Sequence, residues 1–295
     1  MEHQYNNINI CPICDCNDSK SYISAVDHNV SNDIFFITKC SKCGLKYTNP
    51  KPTEETIGNY YKNENYISHT GTKKGVINKI YHIVRIYQLK NKESLISKYG
   101  KEKKILDIGC GTGEFLNYCN KKGWETKGIE PDYKARCFGI NNYKLTIEDA
   151  DYINIFKHNY FSIITMWHVL EHVYHLKDYL NKIHSLLSKN GFLIVAVPNC
   201  ESYDAKVYKE FWAAYDLPIH LYHFTKDDVI NISQKTGFKL IDIKPLVFDS
   251  YYISMLSEKK KNGFFLNAIL TGLLSNLKAR KKKNYSSLIY ILQKN

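Results

Sequence analysis

The sequence has no apolar run of the ~18 residues that a helix needs to cross a bilayer. Its longest uncharged stretch near the C-terminus, residues 262–277, is interrupted by Asn, Thr, Ser and Gly. The opening residues, MEHQYNNINI, are polar and lack the apolar segment of a secretory signal. These absences argue against a membrane-spanning or exported chain, and we expect a cytoplasmic protein.

Acidic residues are also scarce relative to basic ones. Lys and Arg number 41 against 29 Asp and Glu, which gives a formal net charge of +12. This balance permits an anionic partner such as a nucleic acid, a nucleotide-linked substrate or an acidic membrane. Most lysines are scattered, however, which favours an ordinary solvated surface. The two late clusters, Lys259–Lys261 and Lys278–Lys283, are the exceptions.

Nine cysteines without an export signal indicate a reducing compartment, where metal binding or burial is commoner than disulfides. Cys11 and Cys14 form one C-x2-C pair, and Cys40 and Cys43 form a second pair 25 residues later. Two such turns can place four sulfurs at the corners of a tetrahedron, which predicts a structural Zn²⁺ site. An iron site or surplus thiols is the alternative, and Cys16 is left outside the pattern.

The chain is predicted to divide into three parts. Residues 1–50 would form the zinc ribbon, whose metal supplies folding energy that so short a segment cannot obtain from its own core. Residues 51–98 would be a helical linker or cap, because apolar residues recur at helical spacing in 76–98. Residues 99–295 would form the main domain, with an insert at 251–284.

The centre of the main domain is KILDIGCGTGEFLNYCN, residues 104–120. A short apolar strand is followed by Gly109, Gly111 and Gly113 and then by an amphipathic helix, an arrangement that lets a nucleotide-like ligand approach the backbone closely. Asp107 lies inside this segment, unlike in the dinucleotide-binding pattern. Glu130 ends the next predicted strand, 23 residues after Asp107, where a carboxylate can accept hydrogen bonds from both ribose hydroxyls.

These residues resemble the first motifs of the class I S-adenosylmethionine-dependent methyltransferases. TIEDADYI, YFSIITMWHVLEHV and LLSKNGFLIVAVPN resemble that family's adenine-contact segment, fourth strand and fifth strand. The resemblance covers residues 99–250 and implies that S-adenosylmethionine is the cofactor. The cofactor-binding residues it implies are Asp107, Gly109, Gly111, Gly113, Glu130, Asp149 and Trp167. Another Rossmann-like nucleotide binder is the alternative.

The apolar pattern agrees with an α/β fold. Strands are predicted near 104–108, 125–129, 143–146, 161–166, 191–197 and 238–243, with a last strand at 285–292, and helical stretches alternate with them. We therefore expect a Rossmann-like three-layer domain with a mostly parallel, seven-stranded sheet, plus the small N-terminal ribbon. Ligands in such sheets bind at the carboxyl ends of the strands.

MWHVLEH, residues 166–172, follows the fourth predicted strand and falls where the activated methyl group should lie. In a helical turn His168, Glu171 and His172 would share a face, and His220 and His223 follow the fifth strand at the same sheet edge. One hypothesis is a divalent metal on these residues. Small-RNA 3′-end methyltransferases and ubiquinone-pathway O-methyltransferases have a related metal-binding turn, but His168 replaces its first Glu, which favours zinc or manganese over magnesium.

The second hypothesis is that His168 or His220 takes a proton from a substrate hydroxyl, and the third is that the turn is only structural. We expect the catalytic residues to be His168, His220 and His172. The preferred function is O-methylation of a small molecule or of a sugar or glycan precursor. A terminal-ribose RNA methyltransferase and a catalytically silent binding module are the alternatives, and a nucleic-acid partner is disfavoured because no base-methylating signature follows the fourth strand.

The insert contains a basic amphipathic segment at 262–284. Its apolar residues, such as Phe264, Phe265, Leu270 and Leu273, precede a basic run. Such segments can lie on anionic membranes, so peripheral membrane contact is one expectation. A helix packed over the substrate pocket or a homodimer interface is the other.

Overall fold

The N-terminal part of the chain forms a small antiparallel sheet beside the cysteine pairs. The computed structural model describes residues 4–61 and 76–295, without the side chains of 76–83. The ribbon strands are β1 (Tyr5–Asn6), β2 (Ser19–Val26), β3 (Ile34–Cys40), β4 (Lys46–Thr48) and β5 (Lys51–Pro52). A 3₁₀ turn at Ile57–Tyr61 ends this part.

The main domain is built on a seven-stranded sheet with helices around it. The helices are α1 (Val76–Ser97), α2 (Glu114–Asn120), α3 (Tyr133–Tyr143), α4 (Leu176–Leu186), α5 (Tyr203–Tyr208), α6 (Lys226–Lys235), α7 (Asp249–Lys260) and α8 (Phe265–Lys282). The strands are β6 (Lys104–Ile108), β7 (Glu125–Ile129), β8 (Ile147–Glu148), β9 (Phe161–Trp167), β10 (Leu187–Pro198), β11 (Tyr222–His223), β12 (Phe238–Pro245) and β13 (Ser287–Lys294).

The sheet has the strand order β12-β13-β10-β9-β6-β7-β8, and six of these seven strands lie where the sequence predicts them. Strands β6 to β10 pair in parallel, and β13 pairs antiparallel with both β10 and β12. Ile105 and Leu106 lie on opposite faces of β6 and are both fully buried, because helices cover the sheet on both sides. The predicted Rossmann-like α/β fold is therefore confirmed.

The prediction of the third strand at 143–146 is wrong, because the strand begins four residues later than predicted. Helix α3 continues to Tyr143, and Lys144 ends it in a left-handed conformation with φ 57°. The strand that follows is only two residues long, at Ile147–Glu148. A left-handed cap depends on local backbone geometry that apolar periodicity does not show.

The ribbon and the main domain share one sheet. Strand β11, which lies after the fifth predicted strand, pairs antiparallel with β4, so that the four-stranded sheet has the order β11-β4-β3-β2. Ribbon residues Ile13, Leu45 and Tyr47 are buried in the same hydrophobic core as the sheet of the main domain. The zinc ribbon thus packs as a structural part of the loop that carries His220.

Candidate active site

The glycine-rich turn between β6 and α2 forms an open cradle of backbone. Gly109, Gly111 and Gly113 all have positive φ, at 70°, 54° and 78°. A Cβ on Gly109 would lie 2.4 Å from the Val169 side chain, whereas a Cβ on Gly111 would meet nothing within 4 Å. Gly109 is therefore required for packing, and Gly111 leaves free space above the backbone for a ligand.

Glu130 closes this cradle from the tip of β7. Its Oε2 accepts the N–H of Gly111 at 2.8 Å, and its Oε1 accepts the N–H of Asp132 at 2.9 Å. Burial raises the pKa of the Glu130 carboxyl. The N–H of Glu130 also donates to Glu148 O at 3.0 Å, which places the exposed Asp149 at the next position along the same sheet edge. The predicted ribose and adenine contacts thus lie at neighbouring strand ends.

Asp107 lies beneath the cradle and is almost completely buried. Its Oδ1 accepts the Thr165 hydroxyl at 2.6 Å. Burial raises the pKa of Asp107 to about 7, and the ammonium group of Lys92 opposes that effect. Asp107 is therefore held by two groups from other elements.

Lys92, on α1, is a site residue that the sequence did not indicate. Its Nζ lies 4.2 Å from the ring centroid of Trp167 and 5.8 Å from that of Phe115. The Trp167 Nε1 is buried and makes no hydrogen bond with any described residue. A buried indole donor without a partner, an ammonium group and two carboxylates surround the open Gly111 turn. These hydrogen-bond donors and acceptors fit the amino, carboxylate and ribose groups of S-adenosylmethionine.

Glu171 lies at the centre of the histidine cluster. Its carboxylate is 1% exposed, and neither oxygen accepts a hydrogen bond within the described part of the chain. Burial raises the pKa of Glu171, but His168 and the neighbouring histidines outweigh burial and lower it overall. The side chain is therefore a buried carboxylate whose charged form is stabilised by the histidines around it, with His168 the largest contributor.

His168 stands on one side of Glu171 in a left-handed conformation, with φ 58°. Its Nε2 lies 3.0 Å from Asp249 Oδ2, and its Nδ1 lies 3.5 Å from Glu171 Oε1. Burial lowers the pKa of His168, but the hydrogen bond to Asp249 and the proximity of Glu171 raise it to about 10. The position of His168 between two carboxylates therefore favours its protonated form.

His172 and His220 stand on the other side of Glu171, with ring centroids 4.6 Å apart. Nδ1 of His220 lies 2.9 Å from Ala214 O, and Nδ1 of His172 lies 3.0 Å from Ile219 O. Because a carbonyl only accepts, Nδ1 of His220 carries the proton and its Nε2 is left with a lone pair. Nδ1 of His172 also lies 2.9 Å from the Tyr61 hydroxyl, which can either donate to it or accept from it. Burial lowers the pKa of His172 to about 4 and also lowers that of His220.

The carboxylate of Glu171 and one ring nitrogen each of His172 and His220 lie within 4.8 Å of one another. His223 does not join them. It is buried beside the ribbon, where its Nε2 lies 3.1 Å from the Thr48 hydroxyl. Since that hydroxyl donates to His220 O at 2.6 Å, it accepts from His223. His223 therefore links the ribbon to the loop that carries His220.

The predicted zinc ligands converge as the spacing requires. Cys11 Sγ lies 3.5 Å from Cys43 Sγ, and Cys14 Sγ lies 3.5 Å from Cys40 Sγ. A tetrahedral zinc with Zn–S bonds of about 2.3 Å needs sulfurs about 3.8 Å apart, so the four thiols fit a Zn²⁺ ion. Cys16 lies outside this group and contacts the backbone of Asp18.

Similarity to known proteins identifies the family of this chain. Residues 83–243 match the family model described as a methyltransferase domain. The chain belongs to this methyltransferase family. An uncharacterized protein of Methanocaldococcus jannaschii is 35% identical over 113 residues, which cover 37% of this methyltransferase and 48% of that protein. The chain thus spans about half the length of that curated relative.

Two solved structures show the same fold. Magnesium protoporphyrin IX methyltransferase of Synechocystis PCC 6803, solved with bound SAH, is 13% identical with a TM-score of 0.55, over 82% of this chain and 100% of that one. Geranyl diphosphate C-methyltransferase of Streptomyces coelicolor A3(2) is 12% identical with a TM-score of 0.54, over 82% and 98% of the two chains. At these identities the likeness establishes the fold of S-adenosylmethionine-dependent methyltransferases and leaves the acceptor open.

Proposed function

We propose that this methyltransferase transfers a methyl group from S-adenosylmethionine to a hydroxyl group of a small molecule or of a sugar or glycan precursor. His220 is the residue that accepts the hydroxyl proton. The observation that carries this proposal is the hydrogen bond from His220 Nδ1 to Ala214 O, which leaves Nε2 without a proton on a ring that has one nitrogen within 4.8 Å of the buried Glu171 carboxylate. O-methylation needs such an acceptor, because a neutral hydroxyl is a weak nucleophile.

One group of residues would bind the cofactor, and another group would act on the acceptor. When bound, S-adenosylmethionine supplies an activated methyl group. Glu130 and Gly111 would hold its nucleoside end, and Asp107 and Trp167 would hold its amino-acid end. The protein's remaining task is to align the acceptor oxygen with the methyl group and to remove one proton.

His220 and Glu171 perform the proton transfer. Nε2 of His220 would take the proton as the acceptor oxygen bonds to the methyl carbon, while the bond from that carbon to sulfur breaks and its electron pair stays on sulfur, giving S-adenosylhomocysteine. The ring of His220 then becomes an imidazolium. Glu171 is 1% exposed and lies within 4.8 Å of one nitrogen of that ring, so its negative charge stabilises the new cation in a medium of low polarity. His168 has a pKa of about 10 and already holds a proton, so the proton passes to His220 instead.

A second candidate follows from the hydrogen-bond inventory of the same cluster. Glu171, His172 and His220 place a carboxylate oxygen and two ring nitrogens within 4.8 Å of one another, and all three groups are acceptors when those nitrogens carry no proton. A cluster of acceptors alone is satisfied by a proton or by a divalent cation, and two imidazoles with a carboxylate suit zinc or manganese. In that case the metal would hold the acceptor oxygen, and His220 would be a ligand rather than a base.

The first test is methyl transfer from radiolabelled S-adenosylmethionine to a panel of nucleotide sugars and small phenols and alcohols. We expect turnover with at least one hydroxyl acceptor. His220→Asn should lower kcat by about 10²- to 10⁴-fold while the cofactor Kd stays within twofold. His158→Asn is the matched control, because His158 is exposed and far from the site.

The metal content separates the two candidates. With His220 as the base, the purified protein holds one zinc per chain, on the cysteines, and dialysis against a mild chelator leaves the rate unchanged. A second metal per chain that His172→Asn removes would instead support the metal site. If no acceptor is methylated although the cofactor binds, or if His220→Asn retains full activity, O-methylation through His220 is wrong.

A further inference from the structure

In the helical hairpin of α7 and α8, small and polar residues are buried and large apolar residues are exposed. The buried positions of α8 are Ala268, Gly272, Ser275 and Ala279, which are small or polar. Its large apolar side chains point outward, with Phe264, Phe265 and Leu266 at 78%, 61% and 75% exposure. Ile269, Leu270, Leu273 and Leu277 are exposed on the same helix. A helix that packs on a soluble core normally does the reverse.

Helix α7 shows the same inversion. Its buried residues are mainly Ser250, Ser254 and Ser257, with Ile253 between them, whereas Tyr252, Met255 and Leu256 are exposed. The exposed apolar residues of α7 and α8 together form one apolar face of the hairpin. We call residues 252–277 on that side the hairpin face.

The small buried residues have a clear packing role. Gly272 lets the helices approach closely, because a Cβ there would lie 2.7 Å from the ring of Tyr251. The Ser275 hydroxyl donates to the buried Asp204 at 2.6 Å. The inverted orientation is therefore fixed by close contact and hydrogen bonding, and the hairpin face is not available to turn inward.

The charges around the hairpin face identify what would cover it. Residues 262–277 contain no charged side chain, while Lys259–Lys261 precede them and Lys278 and Arg280–Lys283 follow. We propose that the hairpin face docks on an anionic lipid bilayer, with both helices lying along the surface. The apolar side chains would enter the boundary between headgroups and acyl chains, and the basic ends would contact acidic headgroups.

The geometry favours a lipid surface over a second copy of the chain. In a symmetric dimer through the hairpin face, two sets of basic flanks would be brought together. Glu258 pairs with Lys261 within its own flank, but the basic residues outnumber it, so like-charge repulsion opposes the contact. Among residues 4–61 and 76–295, no helix has the length and apolarity needed to cross a membrane. Helix α8, with its 18 residues, is about 27 Å long and suits an in-plane position.

Vesicle co-sedimentation tests the proposal without any need for methyl transfer. The protein is mixed with two kinds of vesicle. One kind contains phosphatidylcholine alone, and the other contains phosphatidylcholine with about 30% of the anionic lipid phosphatidylglycerol. We expect saturable binding to the anionic vesicles, at least tenfold weaker binding to the neutral ones, and weakening by salt. Arg280→Gln, Lys281→Gln and Lys282→Gln together should remove most of the preference for anionic lipid.

The apolar contribution is tested with Leu266→Gln and Leu270→Gln combined, which should weaken binding roughly tenfold or more without changing the melting temperature. The matched control is Ile34→Gln with Ile155→Gln, two similarly exposed apolar residues outside the hairpin. Equal binding by the hairpin variant and this control would overturn the proposal. So would absence of vesicle binding together with a dimer, seen by light scattering, that the hairpin variant dissociates, since a second copy would then cover the face.

Discussion

Thr48 joins the zinc ribbon to the loop that carries His220, and Thr48→Val tests whether the ribbon positions that histidine. Thr48 is fully buried. Its hydroxyl donates to His220 O at 2.6 Å and lies 3.1 Å from His223 Nε2, while its N–H donates to Leu221 O at 3.0 Å. Valine has nearly the same shape but lacks the hydroxyl, so the substitution removes two hydrogen bonds and leaves the backbone pairing in place.

The expected magnitude follows from the groups that are left unpaired. A buried acceptor or donor without a partner costs about 1–3 kcal/mol, so losing both bonds should lower the free energy of unfolding by about 2–4 kcal/mol. For a chain of this size that corresponds to a fall in melting temperature of roughly 5 °C or more. His220 would be held less accurately, and displacement of a catalytic group by 1 Å can cost ~10²-fold in rate.

The assay compares melting temperature, cofactor Kd and kcat for the wild type, Thr48→Val and Thr48→Ser. Serine keeps the hydroxyl and should retain most of the stability and rate. We expect Thr48→Val to lower kcat by ~10- to 100-fold while the cofactor Kd changes by less than about twofold, because the Gly111 cradle makes no contact with Thr48. Thr48→Val with wild-type melting temperature and kcat would refute the coupling between the ribbon and His220.

Three further predictions concern the metal, the cofactor and pH. Stripping zinc with a strong chelator, or Cys40→Ser, should unfold the ribbon, because structural zinc contributes about 10–16 kcal/mol, and calorimetric scans should show its transition lost. Glu130→Ala should weaken binding of S-adenosylhomocysteine roughly 100-fold by titration calorimetry, with Glu102→Ala as the exposed control, since hydrogen bonds to a carboxylate contribute about 1.5–3 kcal/mol each. The pKa of His168 is raised from 6.5 to about 10, so its stabilising contribution is complete below pH 6.5 and is lost as the pH rises through 10. Asp249→Asn should lower that pKa, as measured by NMR titration, and a pKa unchanged by the substitution would exclude the ion pair.

Much of the fold could be predicted from the sequence because its signals are local. Apolar runs such as 104–108 and 161–166 are buried on both sheet faces and end in turn residues, so periodicity alone located them. The glycines at 109, 111 and 113 are required by backbone conformation, and Glu130 follows at the next strand end. The short strand at Ile147–Glu148 was misplaced because two residues carry too little pattern to define a strand.

The candidate site was predicted less completely, because several of its contacts join segments that are distant in sequence. Lys92 from α1 and Asp249 from α7 both reach the strand ends, yet nothing in their local sequences marks them. His223 lies three residues after His220 but contacts Thr48 instead of Glu171, because β11 pairs with the ribbon sheet. Pairing between domains is a tertiary property that apolar periodicity does not encode.

Two peripheral parts of the molecule each hold one histidine beside Glu171 through a single contact. The ribbon holds the His220 carbonyl through Thr48 at 2.6 Å, and the hairpin holds His168 through Asp249 at 3.0 Å. Because Asp249 is the first residue of α7, any shift of the hairpin on a lipid surface alters the ion pair that keeps His168 protonated. In the proposed mechanism, loss of zinc would change proton acceptance by His220. Detachment from the proposed lipid surface would change the charge that His168 presents to Glu171, on the opposite side of the same carboxylate.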